Sequence, residues 1–262
     1  MASRLGIPAT RVTLRQGDSD DIPAVTAATG GSSALTIGGV SILGAAGALV
    51  DNLLPHAAEA MEAAAADIEY GRGAYTIRGT DVSISLAALA ARLPEPELNG
   101  CAGSADFAGD HVSAPNGAYV CELEVDPQTG AVEILAFTGV DDAGRRLDPA
   151  IVEGQLQGGI AQGIGAALME RIHYDAEGQL LTGSLMDYAL PRAADLPAFA
   201  LHDAGIPNSL NPLGAKGVGE PGTIGAPAAV INAIADATGR HDIAMPATPE
   251  RVWRALNEDR TP

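Results

Sequence analysis

The sequence predicts a mixed α/β fold of two intertwined subdomains, on three observations. An Ala- and Leu-rich stretch over 39–67 carries apolar residues at helical spacing. Two strand-like runs, 118–125 and 132–140, flank Asp126-Pro127-Gln128-Thr129-Gly130, which places Pro and Gly in turn positions and reads as a hairpin. Between these regions, 94–116 is rich in Pro, Gly, Ser and Asn and reads as a connection. The expected division is therefore a first subdomain over 1–95, a connection over 96–116 and a second subdomain over 117–262.

In chain order, Arg4-Leu5-Gly6-Ile7-Pro8 reads as the last turn of a helix stopped by Gly6. Residues 10–15 alternate like a strand, with Val12 and Leu14 on one face. A loop over 16–33 carries Asp18, Asp20 and Asp21 and closes on Thr29-Gly30-Gly31-Ser32-Ser33. Pro55 should kink or divide the helix over 39–67. A strand is expected over 74–78, between Gly73 and Gly79, and a short helix over 85–93. Asp148-Pro149 is a helix start, leading into a Gly-dense helix to about Glu170. Asp175-Ala176-Glu177-Gly178 is a turn, and 183–190 is expected to be extended. A Gly/Pro loop over 205–225 is long for a compact domain, which points to function. Apolar residues over 226–238 predict a helix, and Thr248-Pro249 opens a final amphipathic one.

Composition narrows the function. Fifteen Lys and Arg against 33 Asp and Glu leave a formal charge of −18, which opposes binding to the phosphates of nucleic acid or to an anionic membrane. Aromatic residues are 3% of the chain, so the core is built from Ala, Val, Leu and Ile. No run of about 18 or more apolar residues is seen, and the N-terminus carries no apolar leader. Two cysteines, Cys101 and Cys121, are too few for a disulfide framework and fit a reducing, cytoplasmic setting.

Several nucleotide and hydrolase motifs fail. Gly214-Ala215-Lys216-Gly217-Val218-Gly219 lacks the dinucleotide spacing, and Gly158…Gly163 is followed by Ile164-Gly165 instead of Lys-Ser/Thr. Gly30-Gly31-Ser32-Ser33-Ala34 resembles a nucleophile elbow, but a polar loop precedes it where a strand is needed. His56, His111, His173, His202 and His241 are scattered, without metal-ligand spacing.

Three segments carry chemistry. Glu220 stands in Gly217-Val218-Gly219-Glu220-Pro221-Gly222, a rigid backbone of low bulk. A carboxylate buried on such a loop holds its proton more tightly and suits a general base; the bland alternative is a surface Glu. In Glu153-Gly154-Gln155-Leu156-Gln157-Gly158-Gly159-Ile160-Ala161-Gln162-Gly163, each glycine costs a helix about 1 kcal/mol relative to Ala. That cost suits either a ligand approaching the backbone or tight helix packing. Gln155, Gln157 and Gln162 offer both donors and acceptors, suited to a ring with mixed hydrogen-bonding edges. Gly30-Gly31-Ser32-Ser33 ahead of a long helix suits an anion cradle or an ordinary turn.

In order, Gly30-Gly31-Ser32, then Val152-Glu153-Gly154-Gln155 with Gly158-Gly159-Ile160-Ala161-Gln162-Gly163, Met186-Asp187-Tyr188, Gly214-Ala215-Lys216-Gly217-Val218-Gly219-Glu220 and Pro246-Ala247-Thr248-Pro249 follow one another along the chain. This series resembles the C-terminal part of the molybdenum-binding large subunit of the xanthine dehydrogenase/aldehyde oxidase/carbon monoxide dehydrogenase family. The similarity covers nearly the whole chain and is densest over 117–256. It implies the molybdenum-cofactor-binding fold of that family and a subunit of a molybdenum hydroxylase. Such an enzyme oxidises an electron-poor carbon, of an aldehyde or N-heteroaromatic, with oxygen derived from water. It implies a molybdenum–pyranopterin (molybdopterin or its cytosine dinucleotide), with Glu220 as general base toward the metal's hydroxyl ligand. By the same likeness Gly30, Gly31, Ser32, Ser33, Gln155, Gly158, Gly159, Gln162, Lys216, Gly217, Val218 and Gly219 line the pterin and its phosphate tail. No metal ligand is expected from the chain.

Electrons would leave through 2Fe-2S clusters and FAD on an iron–sulfur subunit and a flavin subunit, since two cysteines cannot hold a cluster. Two departures stand out. Ser33 replaces the family's usual Arg, and the family subunit is roughly three times longer. The resemblance therefore implies a second polypeptide carrying the missing N-terminal half, and an open half-site whose apolar face needs that partner. The alternative is a catalytically silent assembly subunit or remnant that keeps the fold without metal.

Overall fold

The computed structural model describes residues 1–18, 20, 30–105 and 115–257. Asp21, Thr29 and His111, and with them much of the 16–33 loop, lie outside the described residues. The chain forms two consecutive compact units, Met1–His111 and Val112–Pro262.

The first unit opens with helix α1 (Ala2–Leu5), ended by Gly6 at φ 61° as its sequence predicts. Gly6 is pressed onto the backbone of Gly73, where a Cβ would come within 2.1 Å of an amide nitrogen. Residues 10–15 do not form the expected strand: Ala9–Arg11 is a 3-10 turn, and no neighbouring strand pairs with Val12 or Leu14 among the described residues. Alternation alone cannot supply a ladder partner.

A π-helical turn, Ala34–Gly38, leads into helix α2 (Gly39–Ala60). Pro55 lies inside α2 without dividing it. Pro55 and Asp51, the residue whose carbonyl it leaves without a helical partner, are both exposed, so water can serve that carbonyl. The helical stretch Ala34–Ala60 is long and apolar enough by length and composition to cross a membrane. Its residues Ala46, Val50, Leu53 and Ala57 nonetheless form part of the unit's core. Strands β1 (Ile68–Gly71), β2 (Ala74–Ile77) and β3 (Ser83–Ser85) make an antiparallel sheet in that order. Helix α3 (Leu86–Ala90) follows, its Ala88 amide donating to the Ser85 hydroxyl at 3.1 Å, and then α4 (Glu95–Gly100). Tyr75 joins sheet to helix: fully buried, it donates its hydroxyl to the Val50 carbonyl at 2.8 Å.

In the second unit, β4 (Asn116–Val125) and β5 (Val132–Asp142) form the expected hairpin. Its turn is set by Asp126, whose carboxylate accepts from the Gln128 amide at 2.8 Å, and by Gly130 at φ 73°. Helix α5 (Pro149–Leu168) is capped by Asp148, which accepts from the Ala150 and Ile151 amides. Strand β6 (Phe199–Asp203) lies parallel to β5; five residues without clear alternation give no strand signal, so it escapes sequence reading. No strand forms over 183–190: residues 185–187 are a turn, in which the Ser184 carbonyl accepts from the Tyr188 amide and the Ser184 hydroxyl donates to the Asp187 carboxylate. Helix α6 is Pro221–Thr238 and α7 is Pro249–Asn257.

Helix α6 starts five residues before the apolar stretch that predicts it. Gly222 and Gly225, which read as loop, are contact glycines. A Cβ on Gly222 would lie 2.6 Å from the Ile160 amide nitrogen, and one on Gly225 would lie 2.2 Å from the Tyr119 ring. Gly159 and Gly163 on α5 do the same from the other side; a Cβ on Gly163 would meet Ala226 at 2.8 Å and Pro227 at 2.9 Å. The two helices and the sheet enclose Phe137, Ile160, Ile164, Val230, Ile234 and Val252.

Tyr119, beneath Gly225, donates its hydroxyl to Asp141 at 2.5 Å. Asp141 is 2% exposed, and its second oxygen has no hydrogen-bond partner among the described residues. Burial holds this carboxyl above the ordinary range, against the lowering effect of the Tyr119 hydrogen bond.

Two outcomes are expected. Gly163→Ala destabilises the protein, because rigid helix atoms occupy the added methyl's place, whereas Gly158→Ala, with no atom within 4 Å of its Cβ, stabilises it by about 1 kcal/mol; urea unfolding of the two variants measures both. Asp141 binds its proton more tightly folded than unfolded, so its contribution to stability declines as pH rises from about 4 through the raised folded value. Asp141→Asn removes that decline, read as a flatter dependence of the urea midpoint on pH; an unchanged slope contradicts it.

Candidate functional site

The second unit brings several of the predicted residues together. Glu220 occupies the N-cap position of α6 (φ −114°), and its carbonyl accepts from the Ile224 amide at 3.0 Å. Its side chain is exposed. The burial expected of Glu220 is thus not supplied by the described residues of this chain. Three residues on, Thr223 donates its hydroxyl toward the Gly159 carbonyl at 3.1 Å and lies 2.9 Å from Gln162 Oε1. The first turn of α6 is thereby seated on α5 beside Gln162.

Helix periodicity puts Gln155, Gly158 and Gln162 on one exposed strip of α5, while Leu156, Gly159, Ile160 and Gly163 are buried. The four glycines over 158–165 accordingly divide in purpose. Gly159 and Gly163 serve packing against α6, and Gly165 packs against Pro191 and Glu170. Gly158 has open space where a Cβ would stand.

The loop leading to Glu220 is held from below. Asp142, at the end of β5, is 8% exposed and uses both oxygens. Its Oδ1 accepts from the Gly144 and Ile206 amides, each at 2.9 Å, and its Oδ2 receives the Lys216 ammonium. Burial pushes this carboxyl up, but the Lys216 hydrogen bond and the two amides together outweigh it and leave it below the ordinary carboxylate range. The Lys216 amide donates to the Ala143 carbonyl at 2.9 Å, and the Arg145 amide to Gly214 at 2.7 Å. Buried Asn211 donates to the Ala215 carbonyl at 3.0 Å. Gly217 is buried, Val218 half-buried and Gly219 exposed. The Lys216 ammonium is thus committed to Asp142, and the chain emerges from this anchorage onto the surface at Gly219 and Glu220. Sequence reading passes over Asp142 because an Asp followed by Ala-Gly looks like an ordinary turn.

The remaining predicted residues belong to the first unit. Gly30 and Gly31 are exposed, and a Cβ on either would meet nothing within 4 Å among the described residues. Gly31 (φ 59°) and Ser32 (φ 54°) are left-handed. Ser33 donates its hydroxyl to the Gly30 carbonyl at 2.7 Å and closes the turn onto the helical stretch from Ala34. Among the described residues no cluster of three or more His, Cys, Asp or Glu side chains is arranged to hold a metal ion.

Comparison with known proteins identifies the family and the fold. Residues 1–197 match the family model of the molybdopterin cofactor-binding domain. Over 97% of this chain, 36% of residues are identical to the gamma subunit of the 6-hydroxypseudooxynicotine dehydrogenase complex of Paenarthrobacter nicotinovorans, of which the match covers 33%. Reconstituted CO dehydrogenase from Oligotropha carboxidovorans superimposes with a TM-score of 0.84 at 30% identity, over 97% of this chain and 32% of that one. Quinoline 2-oxidoreductase from Pseudomonas putida 86 gives 0.82 at 33% identity, over 98% and 34%. The chain thus spans about a third of the length of the curated relatives it matches. This chain belongs to the molybdopterin cofactor-binding domain family and has its fold.

Proposed function

We propose that this chain is the part of a molybdenum-dependent hydroxylase that supplies the general base, Glu220, and half of the pterin cradle. The observation that carries the reading is the seating of the Glu220 turn against the exposed strip of α5 through Thr223, Gly159 and Gln162. The residues fit the group. Gly30, Gly31 and Gly158 leave the backbone approachable where a side chain would narrow it. Gln155 and Gln162 present amides able to match the mixed donors and acceptors of a pterin edge. The turn over 30–33, ahead of a long helix, suits a phosphate.

When bound, the molybdenum–pyranopterin supplies the two-electron oxidation. Gln155 and Gln162 orient the pterin, Gly158 and the Gly217-Val218-Gly219 backbone admit it, and the left-handed turn at Gly31 and Ser32 meets the phosphate tail; the Ser33 hydroxyl is left out because it donates to the Gly30 carbonyl. The Lys216 side chain is left out of this set because Asp142 holds it. Glu220 accepts a proton at its carboxylate. Its exposure here fits a site closed by the remainder of a longer protein or by a second polypeptide. Iron–sulfur and flavin subunits would carry the electrons away, in the cytoplasm. Of the two targets expected, an aldehyde or an N-heteroaromatic carbon, the names of the relatives at 36% identity, a 6-hydroxypseudooxynicotine dehydrogenase and a nicotine 6-hydroxylase, favour the N-heteroaromatic.

The test is Glu220→Gln in the assembled enzyme. Turnover is expected to fall by about 10² to 10⁴, the usual contribution of a general base, with molybdenum content per complex unchanged. Turnover within twofold of wild type removes Glu220 as the base, and a native complex devoid of molybdenum favours the silent-subunit reading.

A further inference from the structure

We infer that Asp142 is a positioning residue, which acts through Lys216 to hold the 205–219 loop in the geometry that presents Glu220. The inference rests on the reading of Glu220 as the base, but the anchorage it describes is a property of this chain alone.

The argument starts from the division of labour on one carboxylate. Oδ1 of Asp142 takes the amides of Gly144 and Ile206, so it ties the end of β5 to the start of the loop. Oδ2 takes the ammonium of Lys216, so it ties the same point to the end of the loop. Both side chains are largely buried, at 10% and 14% exposure, so the pair is poorly screened. Breaking one partner of such a pair strands the other charge away from water, which is where its importance lies.

Between the two tied points the loop closes on itself and on the strand end. The Asn208 amide donates to the Gly214 carbonyl at 2.9 Å and the Leu213 amide to Asn211 at 3.1 Å, and Gly144 pairs with Ala215. Lys216 is the last residue with a side-chain anchor before three residues of Gly-Val-Gly. Glu220 then begins α6, whose first turn is fixed from the other side by the Gly222 contact with α5. Glu220 therefore stands at the junction of two fixed supports: helix packing sets one, and the Asp142–Lys216 pair sets the other. A shift of the second support by a fraction of an ångström moves the carboxylate without unfolding anything, and displacement on that scale is costly to catalysis.

The two arms can be cut separately. Asp142→Asn keeps an oxygen for the Gly144 and Ile206 amides but turns an amide donor toward a buried ammonium. Lys216→Met removes the ammonium and leaves the carboxylate on its two amides. Amide hydrogen exchange on the full chain is the direct measurement. Asp142→Asn is expected to speed exchange across 205–219 at least about tenfold while α5 and the β4–β5 hairpin keep wild-type rates. Lys216→Met should have a smaller effect, and the double variant should fall back to the Lys216→Met level, since the stranded charge is gone. Lys216→Arg should retain protection.

In the assembled enzyme, Asp142→Asn is expected to lower kcat at least about tenfold with KM within twofold and molybdenum content unchanged, alongside Glu220→Gln. Wild-type exchange across 205–219 in Asp142→Asn overturns the anchorage. If Asp142→Asn does not fold, wild-type exchange in Lys216→Met overturns it in the same way. If Glu220→Gln abolishes turnover while Asp142→Asn leaves kcat intact, the positioning role fails and the base stands. If Glu220→Gln itself keeps turnover, the base reading fails, and hydrogen exchange alone decides whether the anchor exists.

Discussion

Helices α5 and α6 meet at backbone distance because Gly159, Gly163 and Gly222 carry no side chains, and the arrangement of the second unit follows from that contact. It seats the first turn of α6 on α5, which sets Thr223 against the Gly159 carbonyl and beside Gln162. It leaves the adjoining strip of α5, with Gln155 and Gly158, exposed. Glycine weakens a helix in isolation. Here that loss is offset by the burial of Ile160, Ile164, Val230 and Ile234, each fully buried.

Two adjacent aspartates at the end of β5 illustrate how neighbouring residues in one strand are pushed in opposite directions. Alternation sends their side chains to different surroundings. Asp141 meets the Tyr119 hydroxyl and otherwise finds little to compensate its burial, so its charged form is disfavoured. Asp142 meets two amides and an ammonium, so its charged form is favoured. The first sits under the start of α6, and the second holds the loop that leads there. The approach to Glu220 is therefore flanked by one carboxyl inclined to keep its proton and one inclined to lose it.

Glycines that share a motif in sequence do not share a purpose. Gly158 and Gly159 are adjacent, yet one faces open space and the other a helix. The resemblance to cofactor-binding relatives groups them together, and only their surroundings separate the packing residue from the one whose backbone is left accessible. Lys216 is a similar case: a cation in a Gly-rich loop reads as a phosphate contact, but its ammonium is taken by a carboxylate 74 positions earlier in the chain.

Much of the architecture was legible from residue order alone: the Gly6 stop, the hairpin with its Asp126 turn, the Asp148-Pro149 and Thr248-Pro249 helix starts, and the family motifs. These are local, each set by a few neighbouring residues with restricted backbone angles or capping side chains. What tertiary structure decided is what depends on residues far apart: the early start of α6 on contact glycines, strand β6 finding β5, the failure of 10–15 to become a strand, the Asp142–Lys216 pair, and the exposure of Glu220. Each is settled by whether a distant surface is present to pack against or pair with, and no local pattern of residue types encodes that surface.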